Sequence, residues 1–335
     1  MDSLTQIVLG AAVGEVAVGP QGKNKGLLWG AVCGTIPDLD LVFGYFMSDL
    51  DKNTFHRSIS HSLLFFLLAS PLTGWLLKWF YSRCSITMKQ WTLMAFWVYL
   101  THALLDCFTT WGTQLFWPLD HKIAFKSIFV IDPLYTLPFL FFLLMGVRLS
   151  SSNPIRKKWV WLGIGISSCY LVFTLVNKQI VGKHFEQSLE RESIAYSRLE
   201  TKPAPFNNIL WAATAETPEG YYVGYYSLLD ERPTTFQFFP KNHMLLEEVI
   251  SRPDVQQLVQ LTEGWYSVEK ISDGLKINDL RFGTLSGWER GNDFVFAYNL
   301  QFLPDGDIHI SEAPKTLKDD PRQILSKLFT RMMGN

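Results

Sequence analysis

A succession of apolar stretches fills the first 180 residues, and it restricts the fold more than any other feature of this 335-residue chain. The stretches run over residues 4–18, 27–47, 61–81, 91–108, 133–147 and 159–176, joined by short polar connectors. Most are about as long as a bilayer crossing requires. In a bilayer every backbone N–H and C=O has to be bonded within the segment, so such runs are expected as helices. Past residue 180 the pattern gives way to charged turns and strand-like runs. The expected architecture is a mainly α-helical integral membrane domain of about six transmembrane helices, followed by a small mixed α+β soluble domain. The boundaries fall at 1–180 for the membrane domain, 181–202 for a helical stalk or linker and 203–335 for the soluble domain.

Charge divides at the same place. Met1 to Ile180 holds 14 Lys+Arg against 9 Asp+Glu, whereas Val181 to Asn335 holds 16 against 22. If every stretch crosses, Lys23 and Lys25, then Lys78, Arg83 and Lys89, then Arg148, Arg156, Lys157 and Lys158 all fall on one side. The positive-inside rule makes that side cytoplasmic. Both termini and the soluble domain are then expected outside the cytoplasm. Met1-Asp2-Ser3-Leu4-Thr5 lacks the basic start of a cleavable signal, so the first stretch is expected to remain as a membrane helix. Cys33, Cys84, Cys107 and Cys169 all lie in or beside apolar stretches, and no disulfide framework can be read from them.

Within the soluble part, residues 183–200 read as a charged helix ended by Pro203 and Pro205. Strands are expected over 209–214, 221–229, 234–239, 265–271, 275–282 and 293–301, and helices over 243–250 and 253–262. In the first stretch Gly10 and Gly14 form a G-x-x-x-G pair suited to close helix contact. Glu15, little more than a turn from Gly10, lies nearer the cytoplasmic end, and its role is open, a structural one included.

Two polar clusters interrupt the apolar sequence. One runs from Pro37-Asp38-Leu39-Asp40 to His56-Arg57-Ser58-Ile59-Ser60-His61, and the other is His102 to Asp106. Carboxylates and imidazoles are costly in or beside a bilayer unless something pairs with them, and a divalent metal is the natural partner of this mixture. His102 and Asp106 are four apart and share a helical face. Asp38 and Asp40 would sit roughly 200° apart on a regular helix. Either the backbone breaks near Pro37, or the two carboxylates serve different metals or shells. Taken singly, the aspartates read as helix-terminal residues and the histidines as interfacial ones. With every segment crossing, all of them gather at one membrane surface, which favours a shared site. The candidate metal ligands are Asp38, Asp40, His56, His61, His102 and Asp106. Zinc fits the donor set, as do manganese and iron.

The start Met1-Asp2-Ser3-Leu4-Thr5-Gln6 with Gly10, the Pro37-Asp38-Leu39-Asp40 element, His56 through Ser62, and Thr101-His102 through Asp106 together resemble the YdjM-like family of bacterial inner-membrane proteins, described as metal-dependent hydrolases. The resemblance covers about residues 1–180. It implies an integral-membrane hydrolase with those six residues at the metal-binding positions. One departure stands out: members commonly carry Thr-His where this chain has Thr5-Gln6, which changes one ligand or supporting donor.

A metal-dependent hydrolase at the outer side of the inner membrane is therefore expected, acting on a phosphoester or lipid-linked substrate. Arg57 is the candidate anion-binding group, and Asp40 or Asp106 the base if not a ligand. Phe108, Trp111, Phe116 and Trp117 would form an aromatic cover suited to an amphiphilic substrate. Membrane lipids are expected partners and nucleic acid is not. The alternatives are metal-ion or proton-coupled transport through the same groups, and a non-catalytic envelope protein whose soluble domain binds a partner.

Overall fold

The computed structural model describes residues 1–284, 294–303, 306–314 and 320–334. Each of the six apolar stretches carries a helix. They are α1 (Ser3–Gly22), α2 (Lys25–Cys33), α5 (Leu63–Phe80), α6 (Met88–Asp106), α7 (Pro133–Val147) and α8 (Pro154–Arg191). Between α2 and α5 lie a 3-10 turn at Pro37–Leu39 and the short helices α3 (Asp40–Phe43) and α4 (Asp49–Phe55). Ser3–Gly22, Lys25–Phe46 taken across its break, Leu63–Phe80 and Pro154–Arg191 are each long and apolar enough to cross a membrane. Pro133–Val147 is apolar but shorter.

The chain divides into two units. The first comprises Met1–Phe46, Thr54–Val176 and Pro205–Asn207. Its central element is α6, which packs against α1, α2 and α5. Trp91, Met94, Ala95, Val98, Tyr99 and Ala103 are buried there. A helix surrounded on most sides needs no exposed polar face, so α6 can carry His102 and Asp106 inward at its C-terminal end. Its N-terminus is fixed by a capping box between Thr87 and Gln90.

Helices α1 and α2 approach to backbone contact. A Cβ on Gly10 would overlap Gly30 O, and one on Gly14 would overlap Gly26 O. The expected G-x-x-x-G contact therefore exists, and its counterpart is the Gly26, Gly30, Gly34 series on the facing helix. The residue after Gly14, Glu15, accepts from Arg156 Nε at 2.7 Å and Nη2 at 2.8 Å, in a buried pair that joins α1 to the start of α8. Arg156 Nη1 also donates to Leu149 O at 3.0 Å. That pairing is the structural role of Glu15.

The second unit comprises Met47–Asn53, Asn177–Ala204 and Asn208–Asn335. It holds two four-stranded, wholly antiparallel sheets. One is β1 (Arg198–Pro203), β2 (Leu210–Glu216), β3 (Gly220–Ser227) and β4 (Phe236–Pro240). The other is β5 (Tyr266–Ile271), β6 (Gly274–Thr284), β7 (Phe294–Phe302) and β8 (Ile308–Glu312). Helices α9 (Pro253–Leu261) and α10 (Pro321–Met332) accompany them. The strand expected from residue 293 is β7, and Asp293 itself lies outside the described residues.

The expected helix over 183–200 requires correction. Helix α8 stops at Arg191, and residues 198–203 form β1 instead. Ser193 adopts φ +56°, with Ile194 N–H on Leu189 O at 2.9 Å and Ser193 N–H on Glu190 O at 3.0 Å. This is a Schellman end with serine where glycine is usual, so the ordinary stop signal is missing from the sequence. Residues 181–191 continue α8. Val181 and Phe185, one turn apart, bury themselves with Trp211 and Ala213, and Leu189 a turn further on is also buried.

Candidate metal centre

The break after α2 decides where the two aspartates point. Helix α2 ends at Cys33, and Pro37 opens the 3-10 turn that holds Asp38. Asp40 begins α3 and faces a different set of partners. The backbone does break near Pro37, and the two carboxylates nevertheless engage different partners.

Asp38, His61, His102 and Asp106 each offer a donor atom, and these atoms all lie within 4.8 Å of one another. His61 Nε2 is 3.2 Å from His102 Nε2. Asp38 Oδ1 stands 3.3 Å from His61 Nε2 and 3.5 Å from His102 Nε2. Asp106 Oδ2 stands 3.4 Å and 3.6 Å from the same two atoms. A tetrahedral ion bound at 2.0–2.2 Å separates its ligands by about 3.3–3.6 Å, whereas charge-assisted hydrogen bonds centre near 2.7–2.9 Å. Five of the six spacings lie in or close to that range and are long for ion-pair hydrogen bonds, and the sixth, between Asp38 and Asp106, is within 4.8 Å.

The outer hydrogen bonds set the histidine tautomers. His102 Nδ1 is 2.8 Å from Gly34 O, a carbonyl that can only accept, so Nδ1 carries the proton. Ser60 Oγ donates to the Asp40 carboxylate at 2.7 Å and therefore accepts from His61 Nδ1–H at 2.9 Å. In the neutral imidazoles both Nε2 atoms then present lone pairs to the same point, an arrangement that a cation resolves. Asp106 Oδ2 is fully buried without a hydrogen-bond partner among the described residues, as a ligand atom would be. These residues fit a divalent metal.

Asp40 and His56, expected among the ligands, stand one bond further out. Asp40 Oδ1 accepts from His56 Nδ1 at 2.9 Å, and its Oδ2 accepts from Arg57 N–H at 3.1 Å as well as from Ser60. With both oxygens engaged, Asp40 braces His61 through Ser60. Burial lowers the His56 pKa against the raising effect of Asp40, which keeps that imidazole neutral at pH 7.

Arg57 sits at the site. Its Nη1 donates to Thr109 Oγ1 at 2.7 Å, its Nε is 3.4 Å from Asp106 Oδ2, and the residue is 4% exposed. Its backbone has φ +64°, which turns the side chain inward from the loop before α5.

Gln6, at the departure from the family pattern, is also part of the site. Its Nε2 donates to Asp106 Oδ1 at 3.0 Å and to His102 O at 3.3 Å, and the Met1 amino group also contacts Asp106 Oδ1. Gln6 thus supplies a supporting donor, and its buried Oε1 has no hydrogen-bond partner among the described residues. Of the aromatic residues expected above the site, Phe108 packs edge-on against Phe125, Trp111 and Trp117 are half-buried and Phe116 is exposed. Ser60, Thr109 and Gly34 were not distinguished in sequence. A serine beside a histidine is a common pair, and nothing local marks it as a bridge.

A family model described as YdjM inner membrane protein matches residues 1–181. That is more than half of the chain, and the protein belongs to this family. No curated protein and no solved structure matches it.

Proposed function

We propose that this YdjM-family protein is a multi-pass inner-membrane metallohydrolase in which His61, His102 and Asp106 would hold one divalent ion, zinc first among the candidates, with Asp38 at its open side. The observation that carries the reading is the set of five inter-donor spacings, 3.2–3.6 Å, converging on two Nε2 lone pairs. The site includes the C-terminal end of α6 and the segment leading into α5. With six crossings oriented by the basic connectors, that end faces outward, as does the β unit. Glu15 and Arg156 then lie toward the cytoplasmic end.

The four donors are unequal. His61, His102 and Asp106 are at most 1% exposed, whereas the Asp38 side chain is 17% exposed. Three closed ligands with a fourth position open to solvent is the pattern of catalytic rather than structural zinc. Asp38 stands at the mouth, where substrate and water enter. A bound ion supplies a water acidic enough to attack near neutral pH. Arg57 holds the anionic group of the substrate and offsets charge developing on it. Asp38 takes the proton as water oxygen bonds to phosphorus. The phosphorus–oxygen bond to the leaving group breaks, and Asp38 returns the proton to that oxygen. Ser60 and Gly34 keep both imidazoles in the tautomer the site requires.

An amphiphilic phosphoester is the substrate class we favour. The loop after α6 joins the site where Gln114 N–H meets Arg57 O at 3.0 Å and Leu63 N–H meets Leu115 O at 2.9 Å. The same loop exposes Phe116 and Leu119, apolar groups suited to acyl or prenyl chains. The test is purified full-length protein, loaded with zinc, manganese or iron and assayed against phosphomonoesters, phosphodiesters, phospholipids and polyprenyl phosphates. Metal-dependent release of phosphate or headgroup is expected. Metal binding without turnover of any of these, together with ion flux into liposomes, would replace hydrolysis by transport.

A further inference from the structure

Helix α10 presents three faces. Leu328 and Met332 pack with Ala204, Leu210 and Tyr225. Arg331 holds Asp230 through two bonds of 2.6 and 2.7 Å, and Ser227 Oγ donates to Met332 O at 2.6 Å. These contacts fix the helix to the β unit. A second face carries Leu325, Phe329 and Met333, one turn apart and 51%, 63% and 59% exposed. Beside its C-terminal end lies the Ser227–Asp230 turn, whose Leu228 and Leu229 are also exposed, and Gly334 packs closely on Leu229 O. The third face is polar, with Gln323, Lys327 and Thr330. Within Pro321–Met332 there are three basic residues, Arg322, Lys327 and Arg331, and no acidic one.

The position of this apolar stripe identifies what covers it. Ala204 and Leu210 flank the chain near Asn208, whose backbone and side-chain oxygens both accept from Asn177 Nδ2 at 2.7 Å. Asn177 directly follows the apolar stretch of α8. Helix α10 therefore packs at the end of the β unit where α8 leaves its apolar run. If that run crosses the bilayer, the membrane–water boundary falls beside Asn177, and α10 lies next to it.

We propose that α10 is an interfacial membrane helix. It lies along the lipid surface with Leu325, Phe329 and Met333 at the headgroup–acyl boundary, and with Arg322 toward anionic headgroups. This rests on the membrane reading above, in particular on α8 as a crossing. The amphipathic, basic composition is that of a surface-lying helix, and the tether supplied by α8 holds it at high local concentration against the lipid.

Spin labels in the full-length protein test the assignment. With Cys84 and Cys169 replaced by serine, single cysteines are placed as Phe329→Cys, Gln323→Cys on the polar face and Val172→Cys in the apolar run of α8. The protein is reconstituted in vesicles of phosphatidylethanolamine containing a minority of phosphatidylglycerol. Collision with oxygen, which partitions into lipid, is compared with collision with an aqueous nickel chelate. The expected result is a several-fold higher oxygen-to-nickel ratio at 329 than at 323, close to that at 172. A water-like ratio at 329 with a lipid-like one at 172 would overturn this inference and leave the membrane reading standing. A water-like ratio at 172 would overturn both. Shielding of 329 from both reagents, with dipolar broadening between labels, would identify a second copy as the occupant and defeat the lipid assignment.

Discussion

His61 Nε2 and His102 Nε2 face each other across 3.2 Å, while their Nδ1 atoms are held from behind by Ser60 Oγ and Gly34 O. Two neutral imidazoles so arranged turn lone pair toward lone pair. The arrangement is unfavourable empty and favourable around a cation, so the supporting bonds bear on metal affinity as directly as the ligands do.

Ser60→Ala should therefore weaken metal binding without abolishing it. Loss of the bridge frees His61 from Asp40, and supporting partners of this kind typically contribute about 10–100-fold in affinity. Competition titration with a chromophoric chelator measures the shift. Ser60→Thr, which retains the hydroxyl, should restore most of it. Unchanged affinity in Ser60→Ala would show that the bridge does not position His61.

The Glu15–Arg156 pair makes a prediction about stability alone. Both side chains are at most 4% exposed. Removing one partner strands a buried charge, so Glu15→Gln should destabilise the helical unit by about 3–5 kcal/mol. The double replacement Glu15→Leu with Arg156→Met should recover much of that loss. Thermal unfolding in detergent reads both, and an additive double mutant would contradict the pairing.

Much of the site was legible because its spacing is local. His102 and Asp106 share a helix face at i, i+4, and Pro37 marked a break that allowed Asp38 and Asp40 to diverge. Which aspartate turned inward was not legible, since that depends on the 3-10 turn and on Ser60 and Arg57 N–H occupying Asp40. The helical stretches were legible because bilayer-length apolar runs have few alternatives. The ends of α8 and the strand β1 were not. Serine in the left-handed position at 193 carries no compositional signal, and the residues of β1 also suit a charged helix. Gly10 and Gly14 were legible as a close-contact pair, but their partners Gly30 and Gly26 required knowing that α2 returns along α1.

The β unit should require more chain than the prolines at 203 and 205 imply. A fragment beginning at residue 204 loses β1, which pairs along its length with β2 from Arg198↔Glu216 to Pro203↔Trp211. It also loses Val181 and Phe185, which pack with Trp211 and Ala213, and the buried Leu189. A fragment from residue 177 retains both and should give a dispersed amide spectrum, whereas the shorter one should aggregate or give broad resonances. Equal dispersion in the two would contradict the role assigned to β1 and to the second half of α8.

The four-donor centre itself is tested most directly by metal content. Full-length protein is purified in detergent, loaded separately with zinc, manganese and iron, freed of excess ion and analysed for bound metal per chain. The account expects about one ion per wild-type chain, as a single tetrahedral centre requires. It expects near-complete loss in His61→Ala, His102→Ala and Asp106→Asn, with membrane insertion retained. Asp38→Asn should keep most of its metal and lose turnover, because Asp38 stands at the open side. Full occupancy in all three ligand variants, or no stable binding of any of these metals by the wild type, would contradict it.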